Sequence, residues 1–311
     1  MIGESIALVV AVLWTTGALF GELASKRLGA LPLNVIRMVL SLLMLGTALW
    51  FMVGHPYPYL ADGETWMWMT LSGLMGFGFG DYCLFNSYNL IGSRFSQLFM
   101  TLASPFAAIT AWLMLGERMT LLGILGMSIT ILGIGMSVLS KTPNEEQHRH
   151  LAVKLPARGV IFGIGAALGQ GVGLVLSKVG LEHYTASAPL AEGMSTFMYP
   201  VAGTMIRALA GLACFLFLLM LKGKTHRLAT AVKDGRGMKY ALLATFLGPA
   251  LGVSLSLLAL QYTEAGVAQT IMSLVPILII WPSRLLFKTK VTALEVVGAI
   301  IAVLGVTLFF I

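Results

Sequence analysis

Residues 73–88 read GLMGFGFGDYCLFNSY, with glycines at 73, 76, 78 and 80 crowded just before Asp81. Two of these, Gly76 and Gly80, return 172 positions later as Gly248 and Gly252, where Val253 stands in place of the aspartate. Sliding residues 71–139 onto 243–311 without a gap gives thirteen identities, among them Gln97/Gln269, Met100/Met272, Thr120/Thr292, Gly126/Gly298 and Gly133/Gly305. MIRALAG (205–211) likewise echoes VIRMVLS (35–41), which matches Arg207 with Arg37. The matched glycines carry more weight than the count, because apolar composition alone returns some identities. The chain reads as an internal duplication.

The surroundings of that stretch are a membrane chain. Of 311 residues, 58% are apolar and 11% charged, with a mean hydropathy of +0.89. A soluble domain of this length needs more charge, so composition points to a polytopic membrane protein. Ten apolar stretches reach the length of about 20 residues that a bilayer crossing needs. They fall near 4–25, 34–53, 65–87, 92–115, 120–139, 159–180, 201–221, 239–261, 265–286 and 291–311. The runs are too long for strands, rich in Leu and Ala, and lack strict alternation, so the expected class is all-α. The opening Met-Ile-Gly-Glu has no basic region and no cleavage site follows, so the first stretch is expected to stay as a span. Cys83 and Cys214 lie inside predicted spans and suggest no disulfide framework.

Lys and Arg concentrate in the odd-numbered loops: Lys26 and Arg27, 141–158, 222–239, and Lys288 with Lys290. The even-numbered loops hold little beyond Arg118. The positive-inside rule makes the odd loops cytoplasmic and both termini external. The most polar stretch, SKTPNEEQHRHLAVKLPAR, splits ten spans into five and five. Residues 1–140 form the first repeat, 141–158 the linker and 159–311 the second repeat. An odd number of spans per repeat forces the copies into opposite orientations. That is the inverted-repeat plan of secondary transporters, with a site expected near the midplane between halves.

LGERMTLLGILGMSITILGIGMSVL (115–139), Leu13-Trp14, Arg37 at the start of the second span and TLASPFAAITAWLMLGE (101–117) resemble an EamA-type module of the drug/metabolite transporter superfamily. The resemblance implies ten helices as two inverted five-helix repeats, moving metabolites such as amino acids, drugs or sugar derivatives by alternating access. It also implies cytoplasmic termini, opposite to the charge count. This chain departs from the family at Glu22, where a basic residue is common.

Enzymatic constellations are missing from the sequence. All five histidines (His55, His148, His150, His183, His226) sit in loops or at span ends, and no Gly-Lys-Ser phosphate loop occurs. No metal, cofactor or nucleic acid is implied. What remains is a set of ionisable residues within spans. Asp81 lies about 22 Å along the third span from Trp66. Glu22 ends the first span and Arg37 begins the second, so the three share one depth, while Lys178 and Arg207 fall toward the opposite side. An intramembrane carboxylate is a site or coupling residue by default, and the competing reading is a buried pair with Arg37 that locks a gate. Phe85 and Tyr88 share the aspartate's helical face, as do Phe77 and Gly78. Trp14 and Gln170 are expected to line a cavity, and the buried amides Gln97 and Gln269 must find partners there. Gly76, Gly80, Gly248 and Gly252 read as close helix contacts, and Pro105 and Pro276 as paired kinks.

The expected function is a secondary transporter of a small amino-acid-like or drug-like metabolite in the plasma (inner) membrane. It is read as a proton-coupled exporter, a monomer or weak dimer among lipids. The competing readings are an uncoupled facilitator or exchanger and, from another class, a membrane-embedded enzyme or lipid-handling scaffold.

Overall fold

A backbone in hydrocarbon has no water to bond, so each crossing must close its own hydrogen bonds, and helix is how this chain does it. The computed structural model describes residues 1–139, 156–189, 195–223, 225–279, 282 and 293–308. Most of the expected linker at 141–158 lies outside those residues, as do Lys288 and Lys290. The first half contains α1 (Ile2–Leu28), α2 (Ala30–Val53), α3 (Gly63–Gly73), α4 (Tyr82–Met100), α5 (Ala103–Leu115) and α6 (Leu121–Leu139). The second contains α7 (Ala157–Ser187), α8 (Met198–Leu221), α9 (Thr225–Lys233), α10 (Gly235–Thr245), α11 (Leu251–Leu260), α12 (Ala265–Met272), α13 (Val275–Leu278) and α14 (Ala293–Thr307). Helical turns at Leu74–Asp81 and Phe246–Ala250 join α3 to α4 and α10 to α11.

The expected spans are unequal as built. Among the described residues, six helices are long and apolar enough to cross a membrane by themselves: Ile2–Leu28, Ala30–Val53, Phe95–Leu115, Ala157–Ser187, Met198–Leu221 and Gly235–Leu260. Leu121–Met136, Ala265–Leu278 and Val296–Thr307 are apolar but shorter. The third passage, 63–91, is diluted by glycine and polar side chains, and the ninth is interrupted ahead of Pro276.

Local chemistry sets the boundaries. Asp62 caps α3 by accepting the Thr65 N–H at 3.0 Å, and bonds from Thr65 and His183 hold its carboxyl below the usual range. Gly92, at φ 76° and ψ 166°, turns the third passage into the fourth within one residue, a conformation that disfavours any side chain. Helix stops again between Met100 and Ala103 and between Met272 and Val275, at positions 172 apart in both cases. Pro105 and Pro276 each fall in the first turn of the segment that restarts there. Both prolines were expected to bend a continuous helix. Each falls in the first turn after a brief break in the α-helical hydrogen bonding of its passage, where a missing N–H has no partner to lose.

Packing is small inside and large outside. Ala7, Ala11, Ala103, Ala107, Ala166 and Ala167 are fully buried, whereas Leu43, Phe51, Leu113, Ile161 and Phe217 are exposed on the outer surface that lipid covers. Lipid gives no hydrophobic drive between helices, so close backbone contact has to supply the attraction. The duplication is visible in how α6 meets α14. A Cβ on Gly133 would sit 2.4 Å from the Ala302 nitrogen, and one on Gly305 would sit 2.6 Å from the Thr130 nitrogen. Each helix offers its glycine to the other's backbone.

Connections alternate between two ends. At one end Thr263 donates to Glu4, Lys178 pairs with Glu117, and His183 meets Asp62. At the other, Arg27 pairs with Asp234 at 2.9 Å, and Glu22 pairs with Lys26 and accepts the Ser93 N–H at 3.2 Å. We expect Gly133→Leu to destabilise the fold by about 1–3 kcal/mol through overpacking. Gly135→Leu, on the same helix with open space around it, should change the melting temperature little. Equal effects in a thermal melt would contradict this account of the α6–α14 contact.

Candidate functional site

The two glycine-rich stretches do not form ordinary α-helix. Over Leu74–Asp81 and Phe246–Ala250 the hydrogen bonds widen to the π-helical i→i+5 pattern, starting 172 residues apart. Such turns are uncommon and tend to occur at functional sites. The wider turn rotates side chains away from α-helical spacing. Gly78, expected beside Asp81, instead faces α8, where its absent Cβ would be 3.0 Å from the Cys214 sulfur.

Each π-helical turn receives an arginine from the other half. The position a Cβ would take on Gly76 is 2.9 Å from Arg207 Nη2, and the same position on Gly248 is 3.3 Å from Arg37 Nη2. Arg37 and Arg207 are repeat mates, and so are the two glycines. The second matched pair admits helices instead: Gly80 lies against Gly169 and Gln170, and Gly252 against the Trp14 indole.

Asp81 breaks the symmetry. Arg37 Nη1 donates to its Oδ2 at 2.9 Å and to Asn34 Oδ1 at 3.1 Å, and Gln170 Nε2 donates to its Oδ1 at 3.4 Å. Both members of the ion pair are buried, with 8% and 4% of their side chains exposed. The Arg37 guanidinium lies 4.5 Å over the Phe85 ring, and that of Arg207 lies 5.0 Å over Phe77. Gln97 donates to the Tyr88 hydroxyl, which orients the ring that meets Phe85 edge-on.

These groups wall a cavity of about 80 Å³ between the halves. Trp14, Arg37, Phe77, Asp81, Phe85, Tyr88 and Gln97 line it from the first half, and Gln170, Gly248, Pro249 and Val253 from the second. Ligand pockets usually run to about 300–1,000 Å³, so this conformation is contracted around its polar groups and admits a few waters at most. A wider space of about 720 Å³ opens at the end bearing Lys178, between α7, α8 and residues 260–264.

Three expectations change. Arg207 was placed toward the opposite side, yet α8 begins at Met198 and the long side chain reaches Gly76, close enough to Asp81 to interact with its charge. Glu22 does not share the Asp81 site: near the end of α1 it serves Lys26 and the turn at Gly92. Gln269 is buried in α12 and does not line the cavity. Asn34 joins the Arg37 network without having been singled out. Its position one turn before Arg37 on a predicted helix was the available signal.

Removing the acid leaves the buried guanidiniums of Arg37 and Arg207 without the carboxylate's charge. Asp81→Leu should cost about 3–5 kcal/mol in a detergent melt, and Arg37→Met added to it should recover most of that loss. Arg37→Met alone should cost less, because Arg207 still faces the carboxylate. The reverse ranking would show that Arg207 does not share the aspartate's field.

The comparisons agree with this architecture. One solved crystal structure superposes with a TM-score of 0.68 over 99% of this chain and 96% of its own, at 14% identity, a likeness of fold alone. No curated protein matches the chain. The model of the EamA-like transporter family matches residues 1–139 and 157–311, nearly the whole sequence. The chain therefore belongs to the EamA-like transporter family, within the drug/metabolite transporter superfamily.

Proposed function

We propose that this protein is a secondary transporter that moves a small organic metabolite across the plasma membrane by alternating access, with Asp81 as its proton-coupling group. The observation that carries the reading is the buried carboxylate on the wall of a cavity shared by both halves, paired with Arg37 and within the field of Arg207. The units that rock are the repeats at 1–140 and 159–311, linked through 141–158. Intramembrane charge is costly and marks transport pathways, and the aligned Val253 shows that the scaffold itself does not require the acid. Protonation removes the one negative charge that holds the two guanidiniums near each other, so it changes which arrangement of the halves is favoured. The aromatic wall of Trp14, Phe77, Phe85 and Tyr88 suits an organic molecule better than a hydrated inorganic ion.

Asp81→Asn keeps the shape and an acceptor oxygen for Arg37 but cannot titrate. In proteoliposomes this variant should retain substrate counterflow and lose accumulation driven by a pH gradient. Recovery of driven accumulation in the Arg37→Gln, Asp81→Asn double variant would exclude Asp81 as the coupling group and leave it as the lock of a gate.

We also propose that the basic end, carrying Lys26, Arg27, Lys222 and 225–239, faces the cytoplasm, with both termini outside. A single cysteine at Gly223, in a background without Cys83 and Cys214, should resist a membrane-impermeant maleimide in intact cells. Labelling from outside would reverse the orientation.

A further inference from the structure

Among the described residues, Arg207 has no counter-ion of its own. It is 2% exposed, and neither Nε nor Nη1 has a hydrogen-bond partner. The cavity wall and the layer behind it hold two guanidiniums, Arg37 and Arg207, against the single carboxylate of Asp81, which hydrogen-bonds with Arg37. One positive charge is thus left over in a region screened from water. A buried charge without a partner is among the costliest arrangements a fold can hold, and a mobile anion removes that cost.

The approach to Arg207 runs past Gly76, where its Nη2 and the Gln170 amide converge on the space that a side chain would fill, with the guanidinium 5.0 Å over the cavity-lining Phe77. The point where a Cβ would stand on Gly76 is 2.9 Å from Arg207 Nη2 and 3.7 Å from Gln170 Oε1. Gln170 is held to Asp81 by a long bond of 3.4 Å, so its amide can swing aside at little cost. The repeat mate Arg37 faces a glycine in the same manner but has already found Asp81 and Asn34. Among the described residues, Arg37 is the one of the two that is paired with a carboxylate.

We propose that Arg207 is the anchor for a carboxylate on the transported molecule, so that the substrate class is a small organic carboxylate with an apolar body. This assignment rests on the transporter reading above. A carboxylate offers two oxygens to guanidinium donors at once, which chloride cannot match. The aromatic wall then receives the rest of the molecule.

The test is a thermal-shift titration of the purified full-length protein with sodium L-lactate, sodium succinate and L-leucine, against lactamide and sodium chloride at matched ionic strength. At least one carboxylate should raise the melting temperature saturably, and lactamide and chloride should not. Arg207→Gln should weaken the apparent affinity by about 30-fold or more, the usual consequence of truncating one partner of a buried charge pair, with Arg207→Lys in between. Gly76→Ala keeps the charge but crowds Nη2, and should weaken binding as well. Without ligand, Arg207→Met should melt no lower than the parent, since it removes an unpartnered charge; a purely structural arginine would lower it.

No shift with any carboxylate, an equal shift with chloride, or a shift that survives Arg207→Gln overturns the assignment. Counterflow of the same probes in proteoliposomes separates the two readings. Arg207-dependent binding without movement sinks the transporter reading and leaves the site. Movement of leucinamide or lactamide without any carboxylate binding sinks the site and leaves the transporter.

Discussion

Two long cations have to be buried between helices that cross each other closely, and each is accommodated over a glycine of the opposite half. Arg37 lies on Gly248 and Arg207 on Gly76. The rest of the centre follows from that constraint. A side chain at either glycine would occupy the guanidinium's place, and the surrounding turns have to widen to admit it, which the π-helical hydrogen bonding at Leu74–Asp81 and Phe246–Ala250 does. The neighbouring matched glycines, Gly80 and Gly252, bring α7 and α1 up to those turns. A motif that looks like simple helix packing therefore serves two purposes, one glycine of each pair for an arginine and the other for a neighbouring helix, through the α7 backbone at Gly80 and the Trp14 indole of α1 at Gly252.

Symmetry sets where the cavity is, and its loss sets what the cavity is. Four first-half residues that give the wall its chemistry have plain counterparts in the second: Asp81 with Val253, Phe77 with Pro249, Phe85 with Leu257, Tyr88 with Leu260. The first half contributes charge and aromatic surface. The second contributes an apolar face and the Gln170 amide. A perfectly repeated chain would have placed two acids against two arginines and closed the charge count internally. This chain leaves it open.

The fold was legible because its signals are long-range and redundant. Spanning length, loop charge and the offset of 172 each point to ten helices in two halves. The cavity was legible in part: Asp81, Arg37, Phe85, Tyr88, Gln97, Trp14 and Gln170 do converge. Depth along a span placed them, since helix rise is fixed. The misplacements share one cause. Depth says nothing of how a helix is rotated or how far a side chain reaches. Arg207 reaches Gly76 in the other half, Glu22 turns to Lys26 and the Ser93 N–H, and the π-helical turn carries Gly78 off the predicted face. Nothing in a glycine-rich sequence distinguishes i→i+5 from i→i+4 bonding beforehand, because glycine tolerates both.

The ion pair and the second arginine then play unequal parts. Arg37 and Asp81 belong to the same half, on α2 and the end of the third passage, so the proposed rocking of the halves would carry them together and leave their bond intact. Arg207 belongs to the other half. Under the proposed rocking its separation from Asp81 is a distance that would change, and in this arrangement its guanidinium rests against Gly76. A charge change at Asp81, or an anion arriving at Arg207, acts on that one distance from its two ends. The small cavity fits this reading, since in this contracted arrangement Arg37 is bonded to Asp81 on its wall and Arg207 lies behind Phe77. Anything that weakens that attraction favours the halves moving apart, which is what a site of about 80 Å³ needs before a metabolite can enter.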